Sequence, residues 1–386
     1  MLDIPYDKQL RLKEAELRSL LDLGKFRGIC ASPQTLEYRN KMEFSFGDEY
    51  KGGPLALGMH RRNSFHDIVS AEHCQLVDAD FRRILSYSLD YFGQRYLPDV
   101  AVDADVVKAE GPPYSYYHRR RHRGYLRHLL VRKAARGGEM LVALVTSSQE
   151  THDLDEWTEG LLALKLVGSV SGVLHITNDS VADVVRPDTV VKLYGQDYIH
   201  ERVCNLHFKI SPFSFFQTNT AGAELLYEQV RAYVKSLPPD PVIFDLYCGT
   251  GTIAIILAPL ARQVIGMEIV AEAIAAACEN AAANAINNCE FIAADVLMAL
   301  DGLAQQPDII VLDPPRAGLH PKALKKILAY GAPRIIYISC KAKSFARELP
   351  AFKAAGYEIQ HSAAVDLFPA TENVELVCLL EWGKGA

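Results

Sequence analysis

Leucines at positions 10, 12, 17, 20, 21 and 23, with charged residues between them, repeat at helical spacing and predict one amphipathic helix over 7–23. From 33 to 208 the rhythm shortens to alternating runs broken by turn residues. Strands are predicted at Glu43-Phe-Ser-Phe, Leu55-Ala-Leu-Gly-Met, Leu126-Arg-His-Leu-Leu-Val-Arg, Met140-Leu-Val-Ala-Leu-Val-Thr and Val173-Leu-His-Ile-Thr, with helices over 79–92 and 155–166. After Phe213-Ser-Phe-Phe-Gln-Thr-Asn219 and a helix over 221–237, apolar runs at 242–246, 264–268, 290–295, 309–313 and 335–339 alternate with helical stretches at 253–261, 271–284 and beyond Pro321.

Strands that are apolar on both faces and separated by helices predict a doubly wound parallel sheet, hence an α/β fold. The middle section is expected to be an α+β domain on a mainly antiparallel sheet. The expected divisions are a helical segment 1–32, a central domain 33–208 and the doubly wound domain 209–386. No internal repeat or low-complexity segment interrupts this organisation.

Composition narrows the class. With 386 residues, 49% hydrophobic and 23% charged, the chain matches a soluble globular protein of two or three domains. No apolar run approaches the roughly 20 residues that span a bilayer. The opening residues lack the architecture of a secretion signal. Eight cysteines are scattered without a Cys-x-x-Cys pair, which excludes zinc-ribbon spacing and suggests free thiols in a cytoplasmic chain.

Net charge is −6, yet 118–133 holds seven Arg/Lys and no acid, directly after Tyr114-Ser-Tyr-Tyr117. Arg119, Arg120, Arg121, Arg123 and Arg127 beside aromatics suit a nucleic-acid backbone with stacking bases. A solvated loop between two strands is the alternative.

Candidate chemistry lies at the ends of the predicted parallel strands. Asp245-Leu-Tyr-Cys-Gly-Thr-Gly-Thr252 follows one strand and opens a helix, where Gly249 and Gly251 let the backbone turn tightly under a ligand. Glu268 ends the next strand, placed to accept ribose hydroxyls. The glycines alone also describe NAD enzymes, and Ala254 breaks a full Gly-x-Gly-x-x-Gly. Asp245 discriminates, because a carboxylate there repels a pyrophosphate and suits a sulfonium such as S-adenosylmethionine. Asp295 and Asp313 end two further strands, completing four acids along one crevice. Each alone could be a helix N-cap. Cys340 ends the strand after the Asp313-Pro-Pro-Arg316 turn, and Glu372-Asn-Val-Glu375 follows. A buried, inert thiol is the commoner fate of such a cysteine.

Phe215-Phe-Gln-Thr-Asn219, Asp245-Leu-Tyr-Cys-Gly-Thr-Gly251, Leu312-Asp-Pro-Pro-Arg-Ala-Gly-Leu319, Ile338-Ser-Cys-Lys-Ala and Phe368-Pro-Ala-Thr-Glu-Asn-Val-Glu375 resemble, in order and spacing, the S-adenosylmethionine-dependent RNA uracil-5 methyltransferases of bacterial 23S rRNA and tRNA. Weaker likeness runs through Tyr38-Arg-Asn-Lys41, Leu126-Arg-His128 and Leu193-Tyr-Gly195. The resemblance implies a Rossmann-like methyltransferase domain. It implies cofactor contacts at Gln217, Asp245, Tyr247, Gly249, Gly251, Thr252, Glu268, Asp295 and Asp313. It also implies Cys340 as nucleophile and Glu375 as base, while Arg316, next to the crevice, is placed to contact the base or a phosphate. A thiolate adding to C6 turns C5 into an enolate carbon able to take a methyl group, and a carboxylate must then remove the C5 proton.

Several departures are visible. Lys341-Ala342 stands where many relatives have Asn-Pro, and Asn373 where many have His. Cys74 resembles one of four iron–sulfur ligands, but the other three are absent, so no [4Fe–4S] cluster is expected. A β-barrel module common among relatives is missing too, as in a shortened chain or a cluster-free branch. The expected function is RNA uridine-5 methylation, 23S rRNA being the leading target and tRNA the alternative. Cytosine-5 methylation, whose motifs usually pair a Pro-Cys with a second Cys, fits less well, since the Asp313-Pro-Pro-Arg316 loop has no Cys. Adenine amino-methylation, which favours an aromatic where Arg316 stands, also fits less well. A non-catalytic RNA-binding protein keeping this fold is the alternative of another class.

Overall fold

Strands apolar on both sides need cover on both faces, and the second half of the chain supplies it. In the computed structural model, which describes residues 2–61, 64, 67–96, 114–181, 187–303 and 305–383, the chain divides into two compact units. One holds 1–35, 202–209 and 214–386, and the other 36–201 and 210–213.

The first unit begins with helix α1 (Tyr6–Leu20) and strand β1 (Lys25–Cys30). The second contains β2 (Lys41–Asp48), β3 (Leu55–His60), β4 (Ile68–Ser70), α2 (Ala79–Gly93), β5 (Leu126–Lys133), β6 (Glu139–Thr146), α3 (Asp155–Leu162), β7 (Ser169–Thr177) and β8 (Thr189–Gly195). A two-stranded ribbon of β9 (Ile199–Val203) and β10 (Leu206–Ile210) follows. Then come α4 (Thr220–Lys235), β11 (Val242–Leu246), α5 (Thr252–Leu257), β12 (Gln263–Glu268), α6 (Ala271–Ala283), β13 (Cys289–Ala293) and α7 (Val296–Gly302). The chain continues through β14 (Ile309–Leu312), α8 (Pro321–Tyr330), β15 (Arg334–Ser339), α9 (Ala342–Ala354), β16 (Tyr357–Val365) and β17 (Glu375–Trp382).

The second unit is a seven-stranded sheet, β4-β3-β2-β5-β6-β7-β8, antiparallel except where β6 meets β7. Phe44, Leu57, Leu129 and Val142 on its strands pack with Phe81 and Phe92 of α2 and Trp157 of α3. Helix α3 stops at Leu162, short of the expected 166, because the chain turns so that the amides of Val167 and Gly168 donate to Asp80. Edge strand β8 was not read as a strand. Its residues are mostly exposed, so no apolar alternation marks it.

The first unit is an eight-stranded sheet, β1-β16-β17-β15-β14-β11-β12-β13, parallel except for β17, which runs antiparallel between β16 and β15. One face carries Phe244, Ile265, Leu312, Tyr337 and Cys378, covered by Leu17 of α1, Leu300 of α7, Ile327 of α8 and Phe345 of α9. Helices α4, α5 and α6, which pack on one another and on β12, β13, β16 and β17, cover the opposite face. The arrangement is the doubly wound one expected. Among the described residues no helix is long and apolar enough to cross a membrane.

The opening segment joins the first unit rather than standing apart, and the exchange falls at 35/36 instead of 32/33. The buried positions of α1 are Gln9, Lys13 and Leu17, whereas Leu12 is exposed. Lys13 Nζ donates to Asp366 Oδ1 at 2.7 Å and to the Phe368 carbonyl at 3.1 Å, while the Ala370 amide donates to Gln9 Oε1 at 2.9 Å. Helix α1 thus grips the connection from β16 to β17. The pair is enclosed, with side-chain exposures of 2% and 0% for Lys13 and Asp366.

Removing one partner leaves the other charge buried alone. Lys13→Ala is therefore expected to cost about 3–5 kcal/mol by chemical denaturation. Lys13→Met with Asp366→Leu should recover most of that loss; a double variant no better than the single one would contradict it.

Candidate active site

Paired residues of neighbouring strands point to the same face, and so do residues two apart on one strand. Asp245 pairs with Gly266 and Val311, Val311 with Ile336, and Ile336 with Leu379. Steps of two or four residues from these positions reach Glu268, Asp313, Cys340 and Glu375. All five groups therefore share one face parity, at the carboxyl edge of the parallel strands, on the side opposite Phe244 and Tyr337.

Asp245 lies two residues deeper than Glu268 and Asp313 and is 0% exposed. Its carboxylate oxygens have no well-formed hydrogen bond, although the Ala254 amide lies near enough to favour the charged form. Burial, and after it the neighbouring charge of Asp313, pushes its carboxyl from 3.8 to about 8. Burial also raises Asp313 to about 7. An orphaned buried carboxylate below a glycine loop fits a sulfonium ligand such as S-adenosylmethionine.

The loop above it is shaped for close approach. Tyr247 and Cys248 both donate their amides to the Met267 carbonyl, at 2.9 and 3.0 Å, and Tyr247 takes a φ of +69°. Gly251 caps α5 with a φ of +77°, and a Cβ there would press on Ala277 and Phe291. A Cβ on Gly249 would meet nothing within 4 Å, so that face of the loop is open. Thr252 begins α5 and is buried.

Half-buried Glu268 accepts the Val270 amide at 3.0 Å. Asp295 is exposed and caps α7 by accepting the Leu297 amide at 2.8 Å, which is the purely local role open to any one of these acids. Gln217 is buried just before α4. Asn219 holds that segment by capping α4 and donating to the Leu367 carbonyl at 2.9 Å.

Cys340 follows β15 and Glu375 opens β17. Ser339 pairs with Leu376, so one further step along this antiparallel ladder sets Cys340 opposite Glu375. Half-buried Cys340 opens on a cavity of about 190 Å³, also lined by Arg316, Lys341, Asn373 and Val374. Burial and then the charge of Glu375 raise the Cys340 thiol to about 11, with Arg316 pulling it down. Glu375, 2% exposed, is pushed to about 8 by burial and by Asp313, again opposed by Arg316.

Arg316 donates to Asn373 Oδ1 at 3.0 Å, so the Asn departing from the family pattern holds the guanidinium over the cavity. Lys341 caps α9 and Ala342 is buried at its first turn.

Sequence reasoning missed the clamp that sets Arg316. Glu348 of α9 accepts the Leu319 amide at 2.8 Å and the Tyr337 hydroxyl at 2.7 Å, and Ser344 donates to the Arg316 carbonyl at 2.9 Å. Gly318 turns there at φ +87°, where a Cβ would collide with Glu348. Tyr227 of α4 was missed too. It is buried, its hydroxyl held protonated by burial and by Asp313, and in the sequence it reads as one more apolar helical position.

In the other unit, Arg120, Arg121 and Arg123 are exposed and Arg119, half-buried, bonds His60. Arg127 differs from expectation. It is 4% exposed, donates to the carbonyls of Asn178 and Ser180, and stacks 4.2 Å over Tyr117, so its guanidinium is built into the sheet and does not face a phosphate. Cys74 is half-buried against the core of that unit. Among the described residues no group of three or more His, Cys, Asp or Glu could hold a metal ion.

A family model described as tRNA (uracil-5-)-methyltransferase matches residues 138–382. An uncharacterized RNA methyltransferase of Clostridium acetobutylicum is 46% identical over 383 residues, 98% of this chain and 80% of the relative. Another from Caldanaerobacter subterraneus is 44% identical over 384 residues, 98% of this chain and 81% of that relative. Among solved structures, the tRNA (uracil-54, C5)-methyltransferase of Pyrococcus abyssi in complex with S-adenosyl-L-homocysteine is similar with a TM-score of 0.76 and 26% identity, covering 98% of this chain and 84% of that one.

Two predictions follow from the buried carboxyls. Asp245 is raised on folding, so its contribution to stability is complete below about pH 3.8 and is lost as pH rises through about 8. Asp245→Asn should thus gain melting temperature relative to the unaltered chain between pH 5 and pH 8; parallel curves would refute this. Removing the negative neighbour of Cys340 should lower its thiol pKa. At about pH 9.5, where Glu375 is ionised, Glu375→Gln should accordingly be alkylated several-fold faster at Cys340 by iodoacetamide, as followed by peptide mass spectrometry.

Proposed function

The chain belongs to the tRNA (uracil-5-)-methyltransferase family, and from that premise we propose a covalent route in which Cys340 attacks C6 of a uridine and Glu375 removes its C5 proton. It is an S-adenosylmethionine-dependent RNA methyltransferase. The observation that carries the proposed route is the ladder step that sets the Cys340 thiol opposite the Glu375 carboxyl on one face of the sheet.

S-adenosylmethionine, when bound, supplies an electrophilic methyl group. Gln217, Tyr247, Gly249, Gly251, Thr252, Glu268, Asp295 and Asp313 would hold it, with Asp245 beneath. The remaining work belongs to the chain. Arg316 draws down the pKa of both Cys340 and Glu375 and stands where it can steady charge on the pyrimidine ring. Cys340 loses its thiol proton to solvent, and the thiolate forms the bond to C6 as the C5–C6 double bond opens toward O4. Once C5 carries the methyl group, Glu375 takes the C5 proton, the double bond reforms and the C6–S bond breaks. The base must leave its stack to reach Cys340, so the target is an unpaired or extruded nucleotide. Arg119, Arg120, Arg121 and Arg123 are proposed to contact the RNA backbone.

The RNA is proposed to be 23S rRNA, supported by the resemblance of the catalytic motifs to bacterial rRNA enzymes. A second reading, a tRNA uridine, is supported by the likeness to the Pyrococcus abyssi protein.

Wild-type protein should form a denaturation-resistant adduct with RNA containing 5-fluorouridine, and Cys340→Ala should form none and transfer no methyl group. Glu375→Gln should accumulate the adduct on ordinary uridine. Methylation by Cys340→Ala would sink the route. Mass-spectrometric mapping of 5-methyluridine in 23S rRNA and tRNA, from cells with and without the gene, decides between the two substrates.

A further inference from the structure

The basic segment of the second unit borders a cavity. A space of about 280 Å³ is lined by Tyr96, Tyr116, His118, Arg121, Arg123 and Glu150, among others. One wall is a ladder of near-parallel rings. Tyr96 and Tyr116 lie 6.1 Å apart at 29°, and Tyr116 and His118 6.2 Å apart at 21°.

The loop bearing the arginines is fixed at both ends. His118 donates its amide to the Arg123 carbonyl at 2.7 Å and accepts the His122 amide at 2.8 Å. Gln149 Nε2 donates to the His122 carbonyl at 2.8 Å, and its Oε1 accepts the Gly124 amide at 3.2 Å. Gly124 sits at φ +113°, where a Cβ would collide with the Tyr116 carbonyl. Glu150 is oriented by Ser115, which donates to Oε1 at 2.6 Å, and by His152 on Oε2 at 3.0 Å.

Each part answers one part of a nucleotide. Ring faces stack a base of any sequence, and exposed guanidiniums hold phosphates in a fork. An ionised carboxylate only accepts hydrogen bonds, so Glu150 favours a base edge that carries an amino group, as in adenine, cytosine and guanine, over uracil. We propose that this cavity binds one unpaired, amino-bearing nucleotide of the substrate RNA, other than the uridine that is methylated, with its base on the ring ladder and its phosphates on Arg121 and Arg123. The proposal rests on the reading of the chain as an RNA methyltransferase.

Binding of the full chain to fluorescein-labelled hexamers of adenosine, cytidine and uridine, measured by anisotropy, tests it. Oligoadenosine and oligocytidine should bind more tightly than oligouridine. His118→Ala should bind oligoadenosine about tenfold more weakly, because one stacking surface is lost. His118→Phe, which keeps a stacking ring, should bind like wild type. Arg121→Ala with Arg123→Ala should lower the slope of log affinity against log salt by about 1.4 for two phosphate contacts.

Equal binding by His118→Ala and wild type would overturn the proposal, as would binding by His118→Phe as weak as that of His118→Ala. So would tighter binding of an acidic peptide than of any hexamer. S-adenosylmethionine binding by calorimetry should be unchanged in all these variants. A wild-type chain that binds hexamers as described but methylates no RNA would instead refute the functional reading and leave the cavity as a nucleotide site.

Discussion

The two-residue period of a β-strand is the constraint on which the site depends. Through the registers joining β12, β11, β14, β15 and β17, that period delivers Asp245, Glu268, Asp313, Cys340 and Glu375 to one face, although they are spread over more than a hundred residues of chain. A slip of one residue in any of those ladders would send its group to the opposite, apolar face. The antiparallel insertion of β17 between β15 and β16 matters for the same reason. It brings the start of a strand to the edge where the parallel strands end, and so sets Glu375 beside the thiol.

Given that face, the electrostatics follow from enclosure. Asp245, Asp313 and Glu375 are packed among apolar strands with little compensation, and burial lifts all three above the ordinary carboxylate range. Ionising these carboxyls is unfavourable in such a crevice, and a bound cation relieves that cost, which is why a sulfonium suits it and a pyrophosphate does not. Arg316 is the counterweight near the reacting groups, and the fold spends several contacts on its loop: Glu348 and Ser344 of α9 hold the backbone, and Asn373 holds the guanidinium. Preorganised charge of this kind does not have to reorient during a reaction.

Much of this was legible in the sequence. The runs from Val242 onward are apolar on both faces and punctuated by Gly and Pro, so the parallel strands, their order along the chain and the acids at their ends could be read directly. The grouping of Cys340 with Glu375 came from motif resemblance, and its geometry needed the register.

What could not be read was tertiary. Glu348 and Tyr227 sit at ordinary helical positions, and nothing local distinguishes a clamp from a solvated or packing residue. Arg127 looked like its exposed neighbours because composition does not reveal that β5 turns it inward onto Tyr117. Lys13 looked like the polar face of an amphipathic helix, and only Asp366, 353 residues away, explains its burial.

That last pairing has a consequence for how the molecule is made. Helix α1 and strand β1 leave the ribosome before the carboxylate that neutralises Lys13, 353 residues further on, and before the strand that pairs with β1. Until then the helix carries a lysine with no buried counter-charge and β1 is an open edge, exposed to mispairing. The sheet therefore cannot close from its first residues outward. Closure is a long-range event, and the segment that captures Lys13 leads directly into Glu375.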